Sequence, residues 1–201
     1  MKASPRTQDA HAALRDATAT RHADIDALLA LRRPLVRTHY VRVLQGFAAF
    51  LARWEPCMAR ALPPHWQDWF AQTRRLPLVH RDLAALGASR ITAAVVLPSL
   101  DSGPAALGSL YVLEGSALGG QFIAAQARRQ LGLTPDNGAA YFSGCGAATM
   151  TRWREFLDRL AADVDAAPEG RARAVQAAQD TFDALADTFR QGLATHERAA
   201  A

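Results

Sequence analysis

The sequence predicts an all-α fold in a single domain. Its 201 residues fit one domain, and 50% of them are hydrophobic, which is enough to form a buried core. Alanine occupies 44 positions, and alanine has the highest helix propensity but little preference for strands. Apolar residues recur at helical spacing along most of the chain. Together these observations predict seven or eight helices around one core.

Four helices are predicted in the first half of the chain. A stripe of apolar residues with a helical period defines the first of them, and Pro34 interrupts that stripe. The second has a broad apolar face and ends at Pro63 and Pro64. The predicted ranges are 9–31, 35–62, 65–72 and 80–88. Residues 1–8 precede the first stripe, and we expect them to form a disordered tail.

Three longer helices are predicted in the second half, over 105–131, 147–166 and 169–199. Asp101 or Ser102 can cap the first of these, and Pro104 suits its first turn. Residues 91–100 have a strand-like composition, but an isolated strand has no partner. We therefore expect this segment to be a helix end or a buried connection. Residues 141–146 are predicted to be an irregular loop.

The charge pattern and the motifs argue against several classes of function. The net charge of +4 comes almost wholly from scattered arginines, so no nucleic-acid surface is predicted, although a weak basic patch for an acidic partner remains possible. No apolar run reaches the roughly 18 residues of a membrane span. No apolar secretory segment is present at the start, so the expected location is the cytoplasm. Zinc, di-iron and hydrolase motifs are absent from the sequence.

A glycine-rich segment, GSLYVLEGSALGGQFIAAQ, lies inside the predicted long helix. Gly115, Gly119 and Gly120 each cost about 0.5–1 kcal/mol of helix stability relative to alanine. Gly115 and Gly119 share a face with Tyr111, so the missing side chains open one side of the helix. This pattern indicates close approach of the backbone to a flat ligand, a kink, or close packing of two helices through small residues.

His22, in the segment LRDATATRHADIDALLAL, is the candidate metal ligand. Asp26 follows it by four residues and Arg15 precedes it by seven, so all three lie on one side of the helix. A neutral imidazole coordinates iron, and a carboxylate neighbour commonly fixes its orientation. An arginine two turns away lies roughly 10 Å from such a metal, where it can meet a carboxylate. A lone histidine at this position also fits a structural or surface role.

Together the two segments resemble the heme oxygenase family, and most closely its bacterial, bacteriophytochrome-associated branch. LRDATATRH is similar to the family's proximal-helix pattern, and YVLEGSALGGQ is similar to its distal-helix motif. The resemblance extends in order and spacing over nearly the whole chain. It implies one heme oxygenase-like domain over 1–201, with heme sandwiched between a proximal helix and a kinked, Gly-rich distal helix.

The resemblance also implies roles for individual residues. The distal, catalytic positions are Gly115, Ser116, Gly119 and Gly120. The heme contacts are His22, Arg15, Tyr111, Arg154 and Phe182, with His22 as the axial ligand of the iron. Ser116 stands where many members of the family have an aspartate that holds a water network. Asp26 replaces the family's usual glutamate.

The implied activity is cleavage of heme to biliverdin, carbon monoxide and Fe²⁺, which requires O₂ and a reductant. Heme is then both substrate and cofactor. Electrons must come from an external donor, such as an acidic ferredoxin, because the sequence has no flavin or nicotinamide motif. A bacteriophytochrome is an implied user of the biliverdin. Three alternatives remain: a non-catalytic heme carrier or sensor, which Ser116 keeps open, a thiaminase-like scaffold with another substrate, and a purely structural helical protein.

Overall fold

The computed structural model describes residues 5–31 and 33–199, and it confirms the all-α prediction. Its α-helices are α1 (Pro5–Leu29), α2 (Arg37–Ala61), α3 (Gln67–Thr73), α4 (Leu76–Ala85), α5 (Gly103–Leu131), α6 (Ala140–Ser143), α7 (Thr149–Ala166) and α8 (Gly170–Ala199). Short 3₁₀ helices precede α3 and α7. Over the described ranges, no helix is long and apolar enough to cross a membrane.

Helix α1 begins at Pro5, earlier than predicted, so the expected disordered tail is wrong for residues 5–8. Thr7 is buried, and its hydroxyl donates a 2.8 Å hydrogen bond to the carboxylate of Asp158 on α7. This contact between distant parts of the chain anchors the first turn. Residues 1–4 of the predicted tail lie outside the described residues.

Residues 88–102 join α4 to α5 as an extended surface segment. The expectation that 91–100 would be a helix end or a buried connection is therefore wrong. Val96 is 81% exposed, whereas its neighbours Val95 and Leu97 pack partly against the core. The side chains alternate between core and solvent as they do in a strand. The segment is strand-like, but it pairs with no other strand of the described chain.

Two buried carboxylates determine where short helices begin. Glu55 of α2 accepts hydrogen bonds of 2.7 Å from the backbone N–H groups of Arg75 and Leu76, at the start of α4. Asp82 of α4 accepts a 2.8 Å bond from the N–H of Ala140, at the start of α6. Carboxylates stabilise helix N-termini, which have unpaired N–H groups. Helix α4 therefore starts before the predicted residue 80, and a helical turn replaces part of the loop predicted at 141–146.

Helix α5 is hydrogen-bonded without interruption through its glycines, from the Ser102 cap to Gly132. It packs against α7 and α8, and α1 packs against the same two helices. Gly108 allows the close approach of α5 to α8, because a Cβ atom there would overlap the backbone carbonyl of Ala174. Helices α1 and α5 thus both pack against α7 and α8, and a cavity lies between α1 and α5.

We expect Gly108→Ala to lower the free energy of unfolding by about 1–3 kcal/mol, the usual cost of overpacking. The added methyl group forces α5 and α8 apart, which outweighs the better helix propensity of alanine. Urea denaturation of the apoprotein measures this change. Gly119→Ala is the matched control, because nothing lies within 4 Å of a Cβ atom added there. Equal changes in the two variants would contradict the prediction.

Candidate functional site

A cavity of about 500 Å³ lies between α1 and α5, and α8 supplies part of its wall. The volume falls within the roughly 300–1,000 Å³ that is typical of small-molecule sites. Eight of the nine predicted site residues line it: Arg15, His22, Tyr111, Gly115, Ser116, Gly119, Gly120 and Phe182. Two sequence segments almost ninety residues apart therefore meet at one cavity.

Arg154, the ninth predicted residue, does not belong to this lining. It is exposed on α7, whereas the preceding residue, Trp153, is buried and lines the cavity. Consecutive helix residues point about 100° apart, so α7 turns Trp153 toward the cavity and Arg154 toward solvent. The structure thus gives no support to Arg154 as a contact of a bound ligand in this cavity.

His22 lies at an open part of the cavity, with 62% of its side chain exposed. Its Nε2 atom is 3.9 Å from a carboxylate oxygen of Asp26, one helical turn further along α1. The ring of Phe182, on α8, lies 5.9 Å from the imidazole between centroids. The imidazole is thus accessible from the cavity, with a carboxylate and an aromatic ring beside it.

The three glycines of α5 have different surroundings. A Cβ atom at Gly119 would meet nothing within 4 Å, so this glycine opens the helix surface to the cavity. A Cβ atom at Gly115 would lie 3.4 Å from the ring of Trp153, which is ordinary contact. At Gly120 it would lie 2.8 Å from the backbone oxygen of Phe142, so the backbone of α6 requires glycine there. Gly120 therefore has a packing role as well as a place in the wall.

Ser116 is already engaged in two hydrogen bonds. Its hydroxyl donates to the backbone oxygen of Leu113 at 2.8 Å, and it accepts from Nη1 of Arg75 at 3.0 Å. A hydroxyl has one hydrogen, so Ser116 in this arrangement donates nothing into the cavity. The sequence analysis did not identify Arg75, which lines the cavity beside Ser116. Its backbone N–H is held by Glu55, a residue distant in sequence, so no local signal marked it.

A second histidine, His11, also lines the cavity and was not predicted. Its ring contacts those of Tyr111 and Trp153, with centroids 6.1 and 5.7 Å away. Burial, and to a smaller extent the charge of Arg15, lowers the pKa of His11. Burial raises the pKa of Tyr111 to about 12. Both side chains are therefore neutral near neutral pH and form an aromatic end of the cavity.

Glu114 lies on α5 directly before Gly115 and is only 7% exposed. Burial raises the pKa of its carboxyl group, and the charges of Arg75 and Arg152, with a hydrogen bond from Thr73, oppose this shift only in part. The folded protein therefore holds the Glu114 proton to higher pH than the unfolded chain does.

We expect the stability of Glu114→Gln relative to the wild type to increase as the pH rises from about 4 to about 7. The unfolded chain releases this proton near the ordinary pKa of 4.5 and the folded state releases it only at higher pH, so the wild type loses stability as the pH rises from 4.5 toward the raised pKa of the folded state. Glutamine has no proton to lose. Urea denaturation of both apoproteins at several pH values measures the difference, with Glu155→Gln on the exposed side of α7 as control. A difference that stays constant or shrinks with rising pH would contradict the prediction.

Comparison with known proteins gives concordant results. Residues 96–191 match the family model described as heme oxygenase. A heme oxygenase from Xanthomonas campestris pv. campestris (strain 8004) is 34% identical over 149 residues, which cover 74% of this chain and 82% of that protein. The structure of the NO- and CO-bound heme oxygenase from Neisseria meningitidis superposes with a TM-score of 0.74 at 24% identity and covers 90% of both chains. This last similarity shows a shared fold.

Proposed function

Because this chain belongs to the heme oxygenase family, we propose that it cleaves heme to biliverdin, carbon monoxide and Fe²⁺, using O₂ and electrons from an external donor. One observation carries the proposal. His22 of α1 and the glycine-rich face of α5 line the same cavity, one from each helix. A flat ligand in this cavity would have an imidazole available on one side and bare backbone on the other.

The residues of the cavity fit heme. An accessible imidazole suits an iron ligand, and a nearby carboxylate can orient it. In the structure a carboxylate oxygen of Asp26 lies 3.9 Å from Nε2 of His22, near but beyond hydrogen-bond length. A side chain at position 119 would fill the open space beside α5, so Gly119 leaves this space free for a ligand. Arg15 lines the cavity with 63% of its side chain exposed, and a guanidinium at such an edge suits a carboxylate such as a heme propionate. Phe182 adds an apolar wall.

When bound, heme supplies both the iron that activates O₂ and the porphyrin that is cleaved. In the proposed reaction His22 would hold the iron from α1, and α5 would face the heme from the other side of the cavity. Gly115, Gly119 and Gly120 keep bulky side chains away from that side, and the surrounding apolar wall excludes bulk water. Arg75 and Ser116 are polar groups of this wall, where they would orient water that enters the cavity.

A heme carrier or sensor is the second candidate, and a specific observation favours it. Ser116 takes the place of the family's usual distal aspartate, and its hydroxyl hydrogen bonds to Leu113 within the helix. A site that delivers no proton on this side would bind heme without degrading it. Turnover distinguishes the two functions, because both require the His22 ligand but only the enzyme produces biliverdin.

The proposed function also requires an electron donor and an acceptor of the biliverdin. The net charge of +4 favours an acidic electron donor such as a ferredoxin. We propose the cytoplasm as the location and a bacteriophytochrome as the acceptor of the biliverdin. Co-expression with a phytochrome apoprotein tests this last point, and a phytochrome that acquires no bilin would contradict it.

A hemin titration of the apoprotein, followed by ascorbate in air, tests the proposed function. We expect one hemin per chain, and then loss of the Soret band together with growth of a broad red absorbance typical of biliverdin. Catalase in the assay removes free peroxide, which degrades heme without an enzyme. Stable binding without biliverdin would favour the carrier or sensor, and absence of binding would contradict both functions.

A further inference from the structure

A continuous row of aromatic rings leads away from the cavity through the core. Tyr111 and Trp153 line the cavity, with ring centroids 5.5 Å apart. Trp153 stacks on Phe156 of α7 at 5.6 Å, and Phe156 lies 5.6 Å from Trp66, in the 3₁₀ helix before α3. All three distances are those of aromatic rings in contact, about 4.5–7 Å. These four side chains, the aromatic row, therefore connect the cavity wall to Trp66 without a gap.

The aromatic row ends at a carboxylate near the surface. The Nε1–H group of Trp66 donates a 2.6 Å hydrogen bond to Oδ2 of Asp163 on α7. The Trp66 ring itself is fully buried, whereas the side chain of Asp163 is 30% exposed. A proton that leaves the ring nitrogen thus has an acceptor that exchanges protons with water.

A second tryptophan, Trp69 of α3, lies beside the aromatic row but has no such acceptor. Its ring is 6.1 Å from that of Trp66, and its Nε1 is buried without a hydrogen-bond partner in the described part of the chain. The guanidinium of Arg159 lies 4.6 Å from the Trp66 centroid and 5.2 Å from the Trp69 centroid. This positive charge opposes a positive charge on either ring, so an oxidised tryptophan here is stable only after it loses its proton. Of the two, Trp66 has the carboxylate that receives this proton.

We propose that the aromatic row carries oxidising equivalents away from the heme site and that Trp66 holds them as a neutral radical. The oxidant is hydrogen peroxide, which forms when O₂ takes up two electrons and two protons without cleavage of the porphyrin. Tryptophan is oxidised far more readily than phenylalanine, so Phe156 serves as a bridge for the electron that passes from Trp66 to Trp153. The inference rests on the proposed function, since heme in the cavity is the place where peroxide reacts.

The electrons and protons of this side reaction have defined sources. The O–O bond of the peroxide breaks and both oxygen atoms end as water, which takes two electrons and two protons. The heme supplies one electron, and Trp66 supplies the other through Trp153. The Nε1–H bond of Trp66 breaks and its proton moves to Asp163, while solvent supplies the protons of the water. The external donor then returns one electron to each site, and Trp66 recovers a proton from Asp163. The cavity wall is thereby spared from oxidation.

Electron paramagnetic resonance of the ferric hemin complex, frozen quickly after mixing with hydrogen peroxide, tests the proposal. We expect a radical signal that narrows when the protein carries ring-deuterated tryptophan. Trp66→Phe should lose this signal, and mass spectrometry should then find more oxidation at Trp153 for the same amount of peroxide. Trp54→Phe is the matched control, because Trp54 is a buried tryptophan whose ring contacts, Phe50 and Phe70, lie outside the aromatic row. It should keep the wild-type signal.

An undiminished signal in folded Trp66→Phe would overturn the proposal, and so would an equal loss in Trp54→Phe. If circular dichroism shows that Trp66→Phe does not fold, Asp163→Asn decides, since it changes a partly exposed side chain and keeps the ring. An amide does not take up the proton, so Asp163→Asn should lose the neutral radical, and retention would overturn the proposal. A hemin complex without a tryptophan radical would overturn this inference alone. A chain that binds no hemin would overturn the proposed function, and this inference with it.

Discussion

His22→Ala is expected to lower heme turnover by more than about 100-fold, because even the loss of a partner outside the metal's own ligands costs about 10–100-fold. Among the described residues of α1, His22 is the histidine near Asp26 and Phe182, whereas His11 lies at the aromatic end of the cavity beside Tyr111 and Trp153. The hemin complex should also lose the absorption spectrum of an imidazole-ligated iron. A hemin titration followed by ascorbate in air measures both effects.

The chain offers a matched control for this variant. His65 is 59% exposed, and its Nε2 lies 2.6 Å from Asp163, so it forms an exposed His–Asp pair outside the cavity. His65→Ala should retain wild-type spectrum and turnover. Added imidazole should bind in the space left by His22→Ala and restore the spectrum in part. Undiminished turnover in His22→Ala would contradict the assignment of this residue as the ligand.

Gly119→Leu is expected to prevent hemin binding while leaving the apoprotein folded. The side chain would project into the open space where nothing lies within 4 Å of the Cβ position, and it would occupy the cavity. Replacing an interior helix glycine removes about 0.5–1 kcal/mol of cost, so the apoprotein should be at least as stable as the wild type. Binding and stability should thus change in opposite directions. A hemin titration and urea denaturation of the same preparation measure both.

Gly120→Ala, on the same helix, tests a glycine that packs against the protein backbone. Its Cβ atom would lie 2.8 Å from the backbone oxygen of Phe142, so we expect the apoprotein to be less stable than the wild type. If Gly119→Leu bound hemin normally, the space at Gly119 would not be the heme site. If Gly119→Leu and Gly120→Ala lost the same stability, Gly119 would have a packing role instead.

Periodicity and proline positions were sufficient to predict the long helices. The predicted 105–131 and the observed Gly103–Leu131 differ by two residues at one end, because Ser102, Pro104 and Gly132 are local signals that mark both ends. The start of α1 was misplaced because its anchor, the bond from Thr7 to Asp158, joins residues far apart in the sequence. Helix α4 was placed too late for the same reason, since Glu55 of α2 stabilises its first turn.

The candidate site likewise has residues that the sequence predicted and residues that only the tertiary structure revealed. His22 and Gly119 drew attention by their place in a helical pattern and Phe182 by the family resemblance, and all three line the cavity. Arg154 was predicted as a propionate contact from the resemblance, and the structure places it on the exposed side of α7, outside the cavity lining. Arg75 went unrecognised because the side of α5 that it would approach depends on how α3 and α4 pack.

The sequence by itself therefore determined the helical class, the family and the two helices that line the cavity, because helical periodicity and short motifs depend on residues close together in the chain. Only the tertiary structure decided the surroundings of those residues. It placed Arg75 within hydrogen-bond distance of Ser116 and buried the Glu114 side chain. Hydrogen bonds and charges between distant segments depend on distances of a few ångströms, which arise only when the helices pack. The hydrogen bond from Arg75 to Ser116 in the cavity wall is one of these contacts.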